Sequence, residues 1–179
     1  MDKVFDSIQD IPLSGNQIRD ALGGHTKIIT YKDLKQYDNI DDVLYPYDNV
    51  VILYETKPRY GHWVCLIKHD NNIIEYYDPY GGFVDEPLNH IERPFKYMLG
   101  GDFPYLSYLL YISPYDVIYN DKQLQEKNDN IATCGRHIIS RILLNEIPLK
   151  KYQKIFRTEN KVNADDKVSY LTAGIINIQ

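Results

Sequence analysis

Apolar positions along the chain change their period. Residues 49–54 (NVVILY) and 61–68 (GHWVCLIK) are short apolar runs rich in β-branched side chains, and residues 73–77 (IIEYY) form a third after the polar turn His69-Asp70-Asn71-Asn72. Short apolar runs bounded by turn residues predict strands, here an antiparallel meander of three. Over residues 133–147 the period becomes helical. Ile138, Ile139, Ile142, Leu143 and Ile147 are expected to form one apolar stripe, with Pro148 marking the end of the helix. Upstream, Ser14-Gly15-Asn16-Gln17 has the capping-box pattern, Ile18 and Leu22 follow at helical spacing, and Gly23-Gly24 supplies a stop. Thr30 is placed to cap a short helix through Leu34 and Tyr37.

Residues 106–112 (LSYLLYI) and 117–119 read as further strands, and residues 83–104, with Pro87, Pro94 and Pro104, as irregular chain. A last helix is expected around residues 165–172. Helices, then strands, then a buried helix predict an α+β fold, a small antiparallel or mixed sheet packed against a central helix that begins at Cys134. The 179 residues suggest a single domain, 1–179, with 1–44 as a helical N-terminal portion.

Composition narrows the function classes. A net charge of −5 gives no support for a basic nucleic-acid face. The local cluster Lys150, Lys151, Lys154 and Arg157 reads as a solvated helix face. No apolar run is long enough to span a bilayer, and the first residues lack an apolar signal core, so a soluble, non-secreted protein is expected. Two cysteines, Cys65 and Cys134, do not make a disulfide scaffold, and free thiols are expected.

Cys134 stands in Thr133-Cys134-Gly135-Arg136-His137, where the long helix begins and Thr133 can cap it. The partial positive charge of a helix N-terminus favours a thiolate. Gly135 leaves room beside the sulfur for a substrate backbone. His62 heads the second strand in Gly61-His62-Trp63, and Trp63 is placed either to pack beside the imidazole or to fill core. Asp78 ends the third strand in Tyr77-Asp78-Pro79-Tyr80-Gly81. Antiparallel neighbours bring the start of one strand beside the end of the next, so His62 and Asp78 should meet. A carboxylate holding one imidazole nitrogen while the other faces a thiol is the arrangement of nucleophilic catalysis. Cys65 shares a strand face with Trp63 and not with His62, which argues against a zinc site with Cys134 and His137. His137 is read as a packing residue, and no cofactor is expected.

In the order His, Asp, Cys, these motifs resemble the adenovirus-type and ubiquitin-like-protein-type cysteine proteases, with Asp78 where the adenovirus enzyme has Glu. Thr133-Cys134-Gly135-Arg136-His137 looks most like the maturation proteases of virophages, Polinton-like elements and large DNA viruses. The resemblance covers roughly residues 45–147. It implies a papain-like fold and peptide-bond hydrolysis by Cys134, His62 and Asp78, with Trp63 and Gly135 near the substrate. It also implies a glutamine upstream of the nucleophile as oxyanion donor. Gln125 lies nine residues before Cys134, further than is usual in that family, and Asn128 lies six before it. Gln125 is favoured on the assumption of a loop insertion, with Asn128 as the alternative. The implied substrates are viral capsid precursors, met in the host cytoplasm, virus factory or virion. The rival expectations are an isopeptidase for a ubiquitin-like modifier, an acetyltransferase using the same cysteine, and a virion or scaffold protein that keeps the fold without turnover.

Overall fold

The computed structural model describes residues 8–157 and 162–176. Its frame is a five-stranded sheet in the order β1 (Lys27–Thr30), β2 (Asn49–Lys57), β3 (Tyr60–His69), β4 (Ile73–Tyr77) and β5 (Asp116–Tyr119). β2, β3 and β4 form the antiparallel meander, while β1 and β5 add in parallel at the two edges. β1 interrupts the segment expected to be helical. It follows α1 (Gly15–Ala21), which carries the capping box at Ser14. After β1 comes a 3-10 helix over Tyr31–Gln36, where Asp33 bonds back to Thr30, and then α2 (Ile40–Leu44).

Side chains alternate across a strand, so the apolar strands feed two cores. Val51, Trp63, Cys65, Ile67 and Tyr77 face one way, against Ile138, Ile139 and Ile142 of α4 (Cys134–Leu143). Val50, Ile52, Val64, Leu66, Ile74 and Tyr76 face the other way, against Tyr31, Leu34 and Val43. Cys65 thus shares a core with Trp63, and Val64 lies in the opposite one.

Residues 106–112 were expected as a strand but form α3 (Tyr105–Tyr111). Leu106, Leu109 and Leu110 are buried while Tyr108 and Tyr111 are exposed, which is a helical and not an alternating pattern. Residues 83–104 carry two short 3-10 turns, Glu86–His90 and Arg93–Phe95.

The long helix also differs from expectation. α4 stops at Leu143, and Leu143 is 53% exposed, outside the buried stripe. Arg141 Nη1 takes the Leu144 carbonyl at 2.7 Å, satisfying an acceptor at the helix end. The remaining helices are α5 (Leu149–Phe156) and α6 (Ala164–Thr172), the latter capped by Asn163.

A buried ion pair joins α4 to the sheet. Arg141 Nε and Nη2 meet the Glu75 carboxylate on β4 at 2.6 and 2.8 Å, and both side chains are fully buried. Burial pushes the Glu75 carboxyl up, but Arg141 and His69 outweigh it and hold the group below the usual range. Breaking one half of such a pair typically costs about 3–5 kcal/mol, because it strands a buried charge. The pair fixes the helix that carries Cys134 against the meander that carries His62.

Candidate active site

His62 lies near the start of β3, and after the turn at the far end the chain returns along β4 to Asp78, just past its last residue. His62 Nε2 lies 2.7 Å from Asp78 Oδ1, with the imidazole only 12% exposed and the carboxylate 3%. Asp78 opens a tight turn. Its Oδ1 also accepts the Tyr80 N–H at 2.7 Å, and its carbonyl accepts the Gly81 N–H at 2.9 Å. Gly81 has a positive φ of 73°, and a Cβ there would lie 2.6 Å from the Lys122 backbone. Glycine therefore lets the loop after β5 pass directly beneath the Asp78 turn. Asn120 Nδ2 seals the contact by donating to the Asp78 carbonyl at 2.6 Å.

Cys134 is the first residue of α4 and is 8% exposed. Both cysteines are free thiols. With Nε2 of His62 engaged by Asp78, Nδ1 is the ring nitrogen left for the sulfur. Burial pushes the His62 pKa down, but hydrogen bonds with Asp78 and Cys134 outweigh this and raise it to about 9.

Thr133 stands at the N-cap, but its hydroxyl does not cap the helix. It donates instead to Asp165 Oδ1 on α6. Asp165 also meets His137 Nε2 at 3.0 Å, and its other oxygen accepts the Glu126 N–H at 2.9 Å. His137 is fully buried, and its Nδ1 has no hydrogen-bond partner among the described residues.

Trp63 fills core. It is 8% exposed, and its indole N–H donates to the Leu13 carbonyl at 3.0 Å. The ring beside His62 is Tyr80, stacked on the imidazole at 4.4 Å and 14°. Sequence reasoning passed over Tyr80, although its place two residues after the turn aspartate was a usable signal. Gly135 faces Leu13 and Ile18, to which a Cβ would come within 3.1 and 3.2 Å. The space assigned to a substrate backbone there is occupied by packing.

The two amide candidates separate. Gln125 is 1% exposed, its backbone N–H bonds the Pro79 carbonyl at 3.0 Å, and its Nε2 reaches Ile131 O at a long 3.4 Å. Its Oε1 has no partner among the described residues. Asn128 is exposed and accepts the Asn130 N–H at 3.0 Å. A cavity of about 340 Å³ opens beside the imidazole, lined by His62, Asp78, Tyr80, Glu86, Lys127 and Asn128 among others. Cys134 sits outside that lining. Among the described residues no cluster of three or more His, Cys, Asp or Glu is arranged to hold a metal, and no helix is long and apolar enough to cross a membrane.

The fold is similar to that of a solved viral cysteine protease. The chain superposes on crystal structures of the ASFV pS273R protease with a TM-score of 0.50 at 13% identity, covering 94% of this chain and 69% of that one. No protein-family profile matches the chain. It is 36% identical over 167 residues to protein V9 of Sputnik virophage, covering 92% of this chain and 95% of that protein, and it belongs to that virophage family.

Proposed function

We propose that the chain is a cysteine endopeptidase in which Cys134 is the nucleophile, His62 the general base and Asp78 the residue that orients the imidazole. The observation that carries this reading is the placement of His62 between the Asp78 carboxylate at 2.7 Å and the thiol that opens α4, on a protease fold. At neutral pH a group with a pKa of about 9 holds its proton, so an imidazolium faces the sulfur. A positive ring beside a cysteine favours the nucleophilic thiolate form.

With the thiol proton already resting on His62, the Cys134 thiolate attacks the scissile carbonyl carbon. The resulting oxyanion is held by the Cys134 N–H and by the Gln125 amide, with Asn128 as the alternative donor. The intermediate collapses as His62 protonates the leaving amine. Water, deprotonated by His62, then releases the acyl group and restores the thiolate beside a protonated His62. Each amide donor aimed at an oxyanion is worth about 2.7–4 kcal/mol.

The substrates are capsid or other structural precursors of the virus, cut near small residues in the host cytoplasm, virus factory or particle. The test incubates the chain with co-encoded precursors and, in parallel, with a modifier-linked isopeptide substrate. Cleavage of precursors that Cys134→Ala abolishes is expected. Cleavage that survives this substitution would sink the nucleophile assignment, and activity confined to the isopeptide would replace the substrate assignment.

A further inference from the structure

Asp165 belongs to none of the motifs around His62, Asp78 and Cys134, yet its carboxylate gathers the chain on both sides of the nucleophile. The side chain is 2% exposed. Oδ1 takes the hydroxyl of Thr133, the residue before Cys134, and Nε2 of His137, one turn after it. Oδ2 takes the backbone N–H of Glu126, the residue after Gln125.

The loop is pinned from the other side as well. Leu124 and Gln125 both donate their backbone N–H groups to the Pro79 carbonyl, at 2.9 and 3.0 Å. Residues 124–126 are therefore held at two points, one on the turn that carries Asp78 and one on α6. Asp165 is itself well located. The α6 N-terminus is closed by a reciprocal cap between Asn163 and Asp166. Gln9 bridges Asp166 to the Ala132 N–H, at 3.0 and 2.6 Å.

We infer that Asp165 is a positioning residue for the proposed hydrolysis: it sets where the Gln125 amide stands relative to the Cys134 sulfur. This rests on the assignment of Cys134 and Gln125 made above. Among the described residues the Gln125 side chain has only the long Nε2 bond to Ile131, so its placement depends on its backbone. An oxyanion donor works within a narrow range of about 2.7–3.1 Å, so a small shift of residues 125–126 is costly only in the transition state. Asp165 touches neither substrate nor sulfur and acts through the loop and the helix start.

The experiment compares Asp165→Asn and Glu126→Pro with the wild-type chain. Asparagine keeps the shape but loses one acceptor oxygen. Proline at 126 deletes the N–H that Oδ2 accepts without altering Asp165 or α6, so it keeps the inference testable where Asp165→Asn does not fold. Both variants are expected to lower kcat by about tenfold or more, with KM within about twofold. Alkylation of Cys134 by iodoacetamide should be undiminished, because that reaction forms no oxyanion. The inference is overturned if kcat stays within about twofold of wild type, or if kcat and alkylation fall together as they would in a loosened fold. A wild-type chain that hydrolyses no peptide overturns the protease reading and this inference with it. Hydrolysis lost in Cys134→Ala but kept in Asp165→Asn and Glu126→Pro overturns this inference alone.

Discussion

Two histidine–aspartate pairs flank Cys134. His62 Nε2 meets Asp78 at 2.7 Å, and His137 Nε2 meets Asp165 at 3.0 Å. The bonds are alike, but the surroundings are not. His62 lines a cavity, carries Tyr80 on its face and has Nδ1 left for the sulfur. His137 is fully buried one helical turn beyond Cys134, and its Nδ1 meets no partner among the described residues. Asp165 has also committed its oxygens to Thr133 and Glu126. Access, and not pairing, separates the two: under the proposed function His62 is the one placed to exchange protons with a substrate, while His137 is enclosed in the fold.

The sharpest way to break this comparison is to remove each histidine. His62→Ala, like Cys134→Ala, is expected to lower kcat/KM by more than about 10³-fold while the far-UV circular dichroism stays that of the wild type. His137→Ala instead is expected to cost about 2–4 kcal/mol in urea unfolding, because it opens a cavity and strips Asp165 of a partner. Its pH–rate limbs should stay in place. Limbs that move with His137 and not with His62 would reverse the roles.

Asp78→Asn comes next in size. The amide can keep the ring in place but removes the charge that raises its pKa, so kcat is expected to fall by about 10²–10⁴-fold. The alkaline limb of kcat/KM, expected near pH 9 for the Cys134–His62 pair, should move towards neutrality in this variant. Stability follows the same sign. The folded pKa of about 9 lies above the ordinary histidine value of 6.5, so the His62 contribution is complete below about 6.5 and disappears as pH rises through about 9. An alkaline limb that ignores Asp78→Asn would detach the carboxylate from the imidazole.

The meeting of His62 with Asp78 and the place of Cys134 at a helix start were legible because each residue stands where a strand or helix starts or stops, and the meander could be read from its apolar runs. What escaped the sequence depends on contacts between distant segments. Asp165 reaches Glu126, Thr133 and His137 from a helix far along the chain, and no local pattern announces that convergence. Glu75 and Arg141 looked like ordinary charges in a strand and a helix, and only tertiary packing buries them together. Residues 106–112 misled because a run of leucine and tyrosine suits either period, and burial of Leu106, Leu109 and Leu110 decided for the helix. β1 escaped because a four-residue edge strand carries too short a run to stand out.

The smallest expected effect concerns the other thiol. Cys65 is fully buried on β3 in the core shared by Trp63 and Ile138, whereas Cys134 lies at a helix start against His62. Burial pushes the Cys65 thiol well above its ordinary range, and the nearby Glu75 carboxylate adds to the rise while Arg141 opposes it. A buried thiol held protonated is a poor nucleophile. The native chain should therefore take up one equivalent of iodoacetamide at neutral pH, at Cys134, and a second only on unfolding. Cys65→Ala removes one polarizable atom from a packed core, at a cost of about 1–2 kcal/mol in urea unfolding. Its kcat should stay within about twofold of wild type, because nothing in the His62–Asp78 arrangement touches it. Mass spectrometry of the alkylated native protein checks the first outcome and steady-state kinetics the second. Rapid labelling of Cys65, or a large fall in kcat at full folding, would place the second thiol in the chemistry and undo the separation between reactive and buried sulfur.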